Sequence, residues 1–252
     1  MTVDLGWGLA IALVALVALS VLLSRLGELG LARQQVIAAV RAVLQLAVVS
    51  FIIVAAVRYV WSALLFVLLM FCIATWTAAG RAGVRNAIGW VAVAIAGGIV
   101  PVAAVIFLSG ASPWNGAAII PIVGIIVGNA MNAHTLVTRR AFPALREQRG
   151  QYEAALALGF ERPWAIRQII HPGTAEALMP NIDTTRTVGL VTLPGAFIGV
   201  LLGGGSPIQA GASQLLVLIG IMAANAGVAV LVERLAAAGK LLPPDLKASL
   251  RP

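Results

Sequence analysis

Two asparagines, Asn129 and Asn132, stand three residues apart inside an apolar run, so they share one face of any helix that run forms. An amide in hydrocarbon is costly without a partner. Such a pair therefore either hydrogen-bonds a neighbouring helix or lines a route for a polar solute. Met131 and His134 are also three apart, on another side, and a thioether beside an imidazole suits a soft or borderline metal. The competing reading sets His134 beside the inner headgroups. Further along, Gln214, Leu218 and Asn225 fall near one helix face, and Arg41 and Gln45 are one turn apart. Gln45, Asn129, Asn132, Gln214 and Asn225 are thus the candidate lining of a polar path. Cys72, the one cysteine, lies in an apolar run where packing is expected, and it permits no intrachain disulfide.

A second constellation reads EAALALGFERPWAIRQIIHP, from Glu153 to Pro172. A short Ala-rich amphipathic helix ended by a glycine and followed by Pro163 makes a stiff turn that the groove of a partner protein can hold. Glu153 is expected to begin that helix. The competing reading is an ordinary amphipathic surface helix. No phosphate-binding loop accompanies it: the Gly239–Lys240 pair is followed by Leu241 and lacks the earlier glycine of G-x-x-x-x-G-K-[ST].

Composition says which elements carry these residues. The chain has 252 residues, 61% hydrophobic and 10% charged, against about 25% charged in soluble domains. Apolar runs near the length that crosses about 30 Å of hydrocarbon recur throughout. Strand-like alternation is absent, which excludes a membrane β-barrel and leaves helices. The expected fold is all-α: a polytopic transmembrane bundle of about seven spans, at 5–23, 39–57, 60–80, 87–109, 118–138, 187–203 and 209–232. Residues 1–252 form one membrane domain, with a cytoplasmic coupling segment of short helices at 139–186 and a short cytoplasmic tail at 233–252.

Placing the N-terminus outside puts 16 of the 17 basic residues on the cytoplasmic side, with Arg58 alone opposite. The net charge of +8 is therefore an orientation signal, and nucleic-acid binding is not expected. Residues 5–23 lack a basic leader and a small-residue cleavage site, so they read as a retained first span. Residues 28–37 read as an interfacial elbow helix. Pro143, Pro163, Pro172 and Pro180 punctuate the coupling segment, and the tail from Ala236 is expected to be loosely ordered. Gly195, Gly199 and Gly203 form a close-packing stripe, and Gly124 and Gly128 a second.

The segment 153–172 resembles the EAA signature of ABC importer permeases. In that pattern Glu-Ala-Ala is followed after three residues by Gly, after nine more by Ile, and three beyond by Pro. Those places hold Glu153, Ala154, Ala155, Gly159, Ile169 and Pro172; the usual Leu before the Pro is His171 here. Over most of its length the chain is similar to the FetB-type permease family, bacterial proteins linked to iron export with plant relatives associated with aluminium tolerance. The resembling pieces are ARQQVIAAVRAVLQL (32–46), IPIVGIIVGNAMNAHTL (120–136), EAALALG (153–159) and PNIDTTRTVGLVTLPGAFIGVLLGGGSPIQAGASQ (180–214).

The resemblance implies a homodimeric permease in a bacterial inner membrane, energised by a separate ABC ATP-binding subunit. ATP and Mg would sit on that partner, with no cofactor on this chain, and a metal ion, iron first, is the implied cargo. An ABC permease for a non-metal solute stays open as an alternative, and so do two other classes. An ion-coupled secondary transporter would be expected to hold ionisable groups at mid-membrane, whereas the acidic residues fall at or beyond the span ends. A membrane-embedded enzyme would need a partnered catalytic set, and His134 and His171 have no intramembrane carboxylate.

Overall fold

A computed structural model describes residues 6–192 and 194–250. Among these residues the chain forms eleven α-helices and no strand, apart from an isolated bridge between Val188 and Thr192. It divides into two compact units, Met1–Ala56 and Val57–Pro252.

The first unit is a hairpin of α1 (Trp7–Leu26) and α2 (Ala32–Ala56). Its turn uses left-handed backbone at Glu28 (φ 50°) and Gly30 (φ 69°). Because α2 runs unbroken from Ala32, residues 32–37 are its first turns and not a separate elbow helix.

The second unit holds α3 (Val60–Ala82), a 3-10 turn (Arg85–Ala87), α4 (Ile88–Leu108), α5 (Gly116–Glu147), α6 (Arg149–Ala157) and α7 (Arg162–Glu176). It continues through α8 (Met179–Thr187), α9 (Gly195–Leu202), α10 (Pro207–Ala237) and α11 (Pro244–Ser249). Local chemistry sets the ends. The Asn115 side chain accepts from the Ala118 amide at the start of α5, and Ser206 and Gln209 form a reciprocal capping box with Pro207 at the start of α10. Its core is apolar: Val91 and Ile95 of α4, Ile119, Ile126 and Val127 of α5, and Val228 and Val232 of α10 are all buried.

Small residues let α4 and α10 touch backbone to backbone. A Cβ on Gly98 would lie 2.5 Å from the Ala224 carbonyl oxygen, and one on Gly227 would lie 3.0 Å from Cα of Gly98. Of the stripes read from sequence, Gly124 does face Met70 closely. The Gly195, Gly199 and Gly203 positions meet no other element among the described residues. Gly195 and Gly199 instead border an open cavity of about 580 Å³ between α5, α9 and α10.

Six described helices, α1 to α5 and α10, are long and apolar enough to cross a membrane. At 1.5 Å per residue, the 32 residues of α5 reach about 48 Å, well beyond about 30 Å of hydrocarbon. Its last turns, with Arg139, Arg140, Arg146 and Glu147, therefore project past the membrane. Pro143 and Pro172 lie inside helices rather than ending them, whereas Pro163 and Pro180 stand at helix starts.

The segment read as the sixth span, 187–203, is not one continuous helix. Only eight residues of 187–203, those of α9, are helical after its first position, about 12 Å and too short to cross alone. The helical parts of this stretch thus fall in two short halves, the polar α8 before and the apolar α9 after. Pro180, Asn181 and Thr184 of α8 lie beside Asn132 and Asn225, while α9 lies beside Ala117 and Pro121 near the far end of α5. Between the halves the chain turns at Gly189 (φ 86°), whose amide donates to the Thr192 carbonyl. The boundary read at 186/187 thus falls inside a helix, because its threonines and Arg186 resemble a polar connection. Leu193 lies outside the described residues.

The tail is not loose. Leu241, Leu242, Leu246 and Leu250 are all at most 2% exposed. Lys240 lies 4.4 Å from the Trp90 ring centroid, a cation–π contact, and Asp245 accepts from Arg146 Nε at 2.8 Å.

Candidate functional site

The Glu153–Pro172 constellation folds as two helices joined by a tight turn. In α6 the amide of Gly159 donates to the Leu156 carbonyl and that of Phe160 to the Ala155 carbonyl. This paired closure is a Schellman motif. It needs left-handed backbone at the residue after the cap, where Gly159 has φ 87°. The spacing from Glu153-Ala154-Ala155 to Gly159 is therefore the spacing from the last full turn of a helix to its glycine stop. Glu161 and Pro163 then begin α7.

Glu153 does not begin α6, as the sequence suggested. The helix starts four residues earlier at Arg149, because Arg149 to Tyr152 are helical too, and Glu153 pairs with Arg149 at 2.8 Å on the exposed face. Ala154 is exposed and Ala155 half-buried, so α6 keeps one face free. At the turn Leu158, Phe160 and Trp164 are exposed, with the two rings stacked 4.0 Å apart.

By contrast, α7 is wedged inward. Ala165, Ile166, Ile169 and Ile170 are buried where it packs on α5 and α10. Pro172 lies on its outer side.

Two sets of polar contacts hold this assembly, and neither was read from the sequence. The Tyr152 hydroxyl on α6 donates to the Leu250 carbonyl of the tail at 3.1 Å. Glu233, near the end of α10 and 5% exposed, accepts from Arg167 Nε at 2.7 Å, with His171 Nδ1 3.1 Å from its other oxygen. Leucines at 241, 242, 246 and 250 in a short polar tail were the available signal for the first. The i, i+4 spacing of Arg167 and His171 was the signal for the second. Below them, the Arg146 hydrogen bond to Asp245 holds that carboxyl below the usual carboxylate range.

The polar residues of the spans separate into groups. Asn129, Asn132 and Asn225 converge. With Asn181 and Thr184 of α8 they line a cavity of about 230 Å³. Asn129 Nδ2 donates to the Ile125 carbonyl at 2.9 Å, and Arg81 Nη1 lies 3.4 Å from Asn132 Oδ1. Asn225 is 2% exposed, and its Oδ1 has no hydrogen-bond partner among the described residues. Asn225 is one of the residues lining this cavity. The contribution of α8 was not read because that stretch was assigned to the cytoplasmic side.

Gln214 is buried apart from this cavity, with Oε1 unpartnered among the described residues. Gln45 sits on α2 in the other unit, exposed. Met131 is half-buried. His134 is fully enclosed by protein, and neither ring nitrogen has a described partner. Among the described residues no three His, Cys, Asp or Glu side chains gather as a metal site.

The profile of an uncharacterised protein family, UPF0014, matches residues 7–239. UPF0014 membrane protein STAR2 of Oryza sativa subsp. japonica is 35% identical over 222 residues, covering 85% of this chain and 76% of that protein. Probable iron export permease protein FetB of Escherichia coli (strain K12) is 32% identical, with 83% and 82% of the two chains covered. Protein ALUMINUM SENSITIVE 3 of Arabidopsis thaliana is 31% identical, with 82% and 77% covered. No solved structure matches the chain significantly. With a profile that takes in nearly the whole sequence and relatives aligned over more than four-fifths of it, this multi-pass membrane protein belongs to the UPF0014 family.

Proposed function

We propose that this chain is the permease subunit of an ABC transporter, moved by a separate ATP-binding subunit that docks on α6 and the Gly159 turn. The observation that carries the reading is the division of labour at that turn. One helix keeps a free face with Leu158, Phe160 and Trp164 exposed beside it, and the next is wedged between two long helices. Exposed aromatic anchors beside small alanines suit a groove in a soluble partner. A push there reaches α5 and α10 through α7. ATP and Mg belong to the partner; this chain lacks the loop that would hold them.

The basic ends of the helices face the cytoplasm on this reading. That leaves the N-terminus outside and the C-terminus inside the plasma membrane of a bacterial cell. Two copies form the working permease. The cargo is a metal ion, iron first, exported through the asparagine-lined cavity; the name of the Escherichia coli relative, a probable iron export permease, supports both cargo and direction. The amides of Asn129, Asn132, Asn181 and Asn225 offer hydrogen bonds to the shell of a hydrated ion. On this reading α8 and α9 together make a broken crossing beside them, the kind of element that transporters place at a binding site.

The test is purification in lipid nanodiscs with the cognate ATP-binding subunit, followed by ATP hydrolysis with Fe²⁺, Mn²⁺, Zn²⁺ or no metal. A stable complex whose hydrolysis rises with Fe²⁺ is expected. A chain that captures no ATP-binding subunit, yet changes cellular iron when expressed, would contradict the proposal.

A further inference from the structure

We infer that Glu233 is a positioning residue for transport: it is the tie through which movement of α7 reaches α10. This rests on the ABC permease reading and adds the point of force transfer. The carboxylate sits about one turn from the end of a 31-residue helix and is nearly enclosed. A buried anion is tolerable only where cations or donors meet it. Here both come from one side of one helix. Arg167 Nε approaches at 2.7 Å, and His171 Nδ1 at 3.2 and 3.1 Å from the two oxygens.

Arg167 and His171 are one turn apart on α7, so both engage through the same helical face. Their side chains are 58% and 62% exposed, so the donors come from the solvent side and the acceptor from the core. Other charged side chains lie at this end. Arg234, next to Glu233, is exposed, Arg140 of α5 approaches Gly173 of α7 through its Cβ, and the Arg162 guanidinium at the start of α7 lies against Gly239, just past α10.

Among the described residues, these are the hydrogen bonds that join α7 to α10. Apolar residues of α7 such as Ile166 and Ile170 are buried beside them. Apolar packing is non-directional and resists sliding poorly. A short charge-assisted hydrogen bond is directional. Motion of the Gly159 turn therefore pulls α10 along its axis through Glu233, while the apolar face of α7 keeps contact. It also accounts for the departure at 171, since the leucine usual there could not reach a carboxylate with a donor.

The experiment uses the full chain with its ATP-binding subunit in nanodiscs. A Cys72→Ala, Ile208→Cys background places one thiol at the far end of α10, where Ile208 is 84% exposed. Labelling by a membrane-impermeant maleimide is timed with and without ATP and vanadate. In the parent, nucleotide is expected to change the labelling rate at least about fivefold. In Glu233→Gln and Arg167→Gln the complex still forms and hydrolyses ATP, but the change falls below about twofold. Arg167→Lys restores part of it. Arg167 is largely exposed, so its variant reports even if Glu233→Gln folds poorly. A full parental response in Arg167→Gln, or in folded Glu233→Gln, overturns the inference alone. A parent that binds no ATP-binding subunit overturns the transporter reading and this inference with it.

Discussion

Gly159 and Gly150 lie at opposite ends of the same short helix, and the same change to alanine should have opposite effects on it. At Gly159 a Cβ would meet nothing within 4 Å, so there is no clash to relieve. The cost is conformational, because φ is 87° and an L-residue held in left-handed backbone loses about 1–2 kcal/mol. At Gly150 a Cβ also meets nothing, and no left-handed φ is required. Alanine there gains about 0.5–1 kcal/mol by narrowing the unfolded ensemble.

A difference of 1–2 kcal/mol is roughly 5–30-fold in an opening equilibrium. Amide hydrogen exchange across 154–160 reads it directly, through the Gly159 and Phe160 amides that close the helix. Gly159→Ala is expected to accelerate exchange by roughly 5–30-fold, and Gly150→Ala to slow it by roughly two- to fivefold. Gly159→Asn should fall between wild type and alanine, since asparagine tolerates this backbone. Equal protection in Gly159→Ala and wild type would refute the claim that the glycine stop holds the turn.

Other outcomes follow from the packing. Removing residues 241–252 withdraws four buried leucines, each worth about 1.5–3 kcal/mol when fully buried. The thermal midpoint in detergent should drop by at least about 10 °C, with faster tryptic cleavage at Arg149. A midpoint within 2 °C of wild type would refute the tail's role as a brace. Gly98→Ala places a methyl 2.6 Å from Val228 Cγ2 and should cost about 1–3 kcal/mol by overpacking. Gly128→Ala, with nothing within 4 Å, is the neutral control, and equal midpoints for the two would contradict the close α4–α10 approach.

The Asp245 carboxyl titrates lower folded than unfolded, owing to Arg146. Its contribution is therefore present above the unfolded value of about 3.9 and disappears as pH falls through the lower folded value. Both partners are about half exposed, so the effect stays below about 1 kcal/mol. Arg146→Gln should melt slightly earlier than wild type at pH 7 and together with it near pH 2, and a gap that persists there would assign the loss to something else.

The membrane spans were legible because each must carry its own run of apolar residues, a local property. Where the reading failed, the missing information was non-local. Pro143 looks like a stop, yet α5 continues through it into the projecting basic segment. The polar α8 looks like one more short cytoplasmic helix until Asn129, Asn132 and Asn225 are placed beside it. Gly195, Gly199 and Gly203 have the spacing of a seam, but the close helix contact forms at Gly98 and Gly227, about 130 positions apart in sequence order. The coupling segment was legible as a motif, and its physical basis, a glycine-stopped helix, follows from the Schellman closure at Gly159. Its anchors, Glu233 and the Leu250 carbonyl, lie 62 and 98 residues from their partners His171 and Tyr152, and a local pattern carries no trace of them.

The central claim is that a soluble ATP-binding subunit grips the turn between α6 and α7. A photo-crosslinking residue in place of Leu158, 78% exposed, tests it most directly in cells that express both proteins. Crosslinking from position 158 to the ATP-binding subunit is expected, with none from position 208 at the other end of α10. Crosslinks from 208 instead, or labelling of position 158 by an impermeant reagent added outside intact cells, would contradict the account.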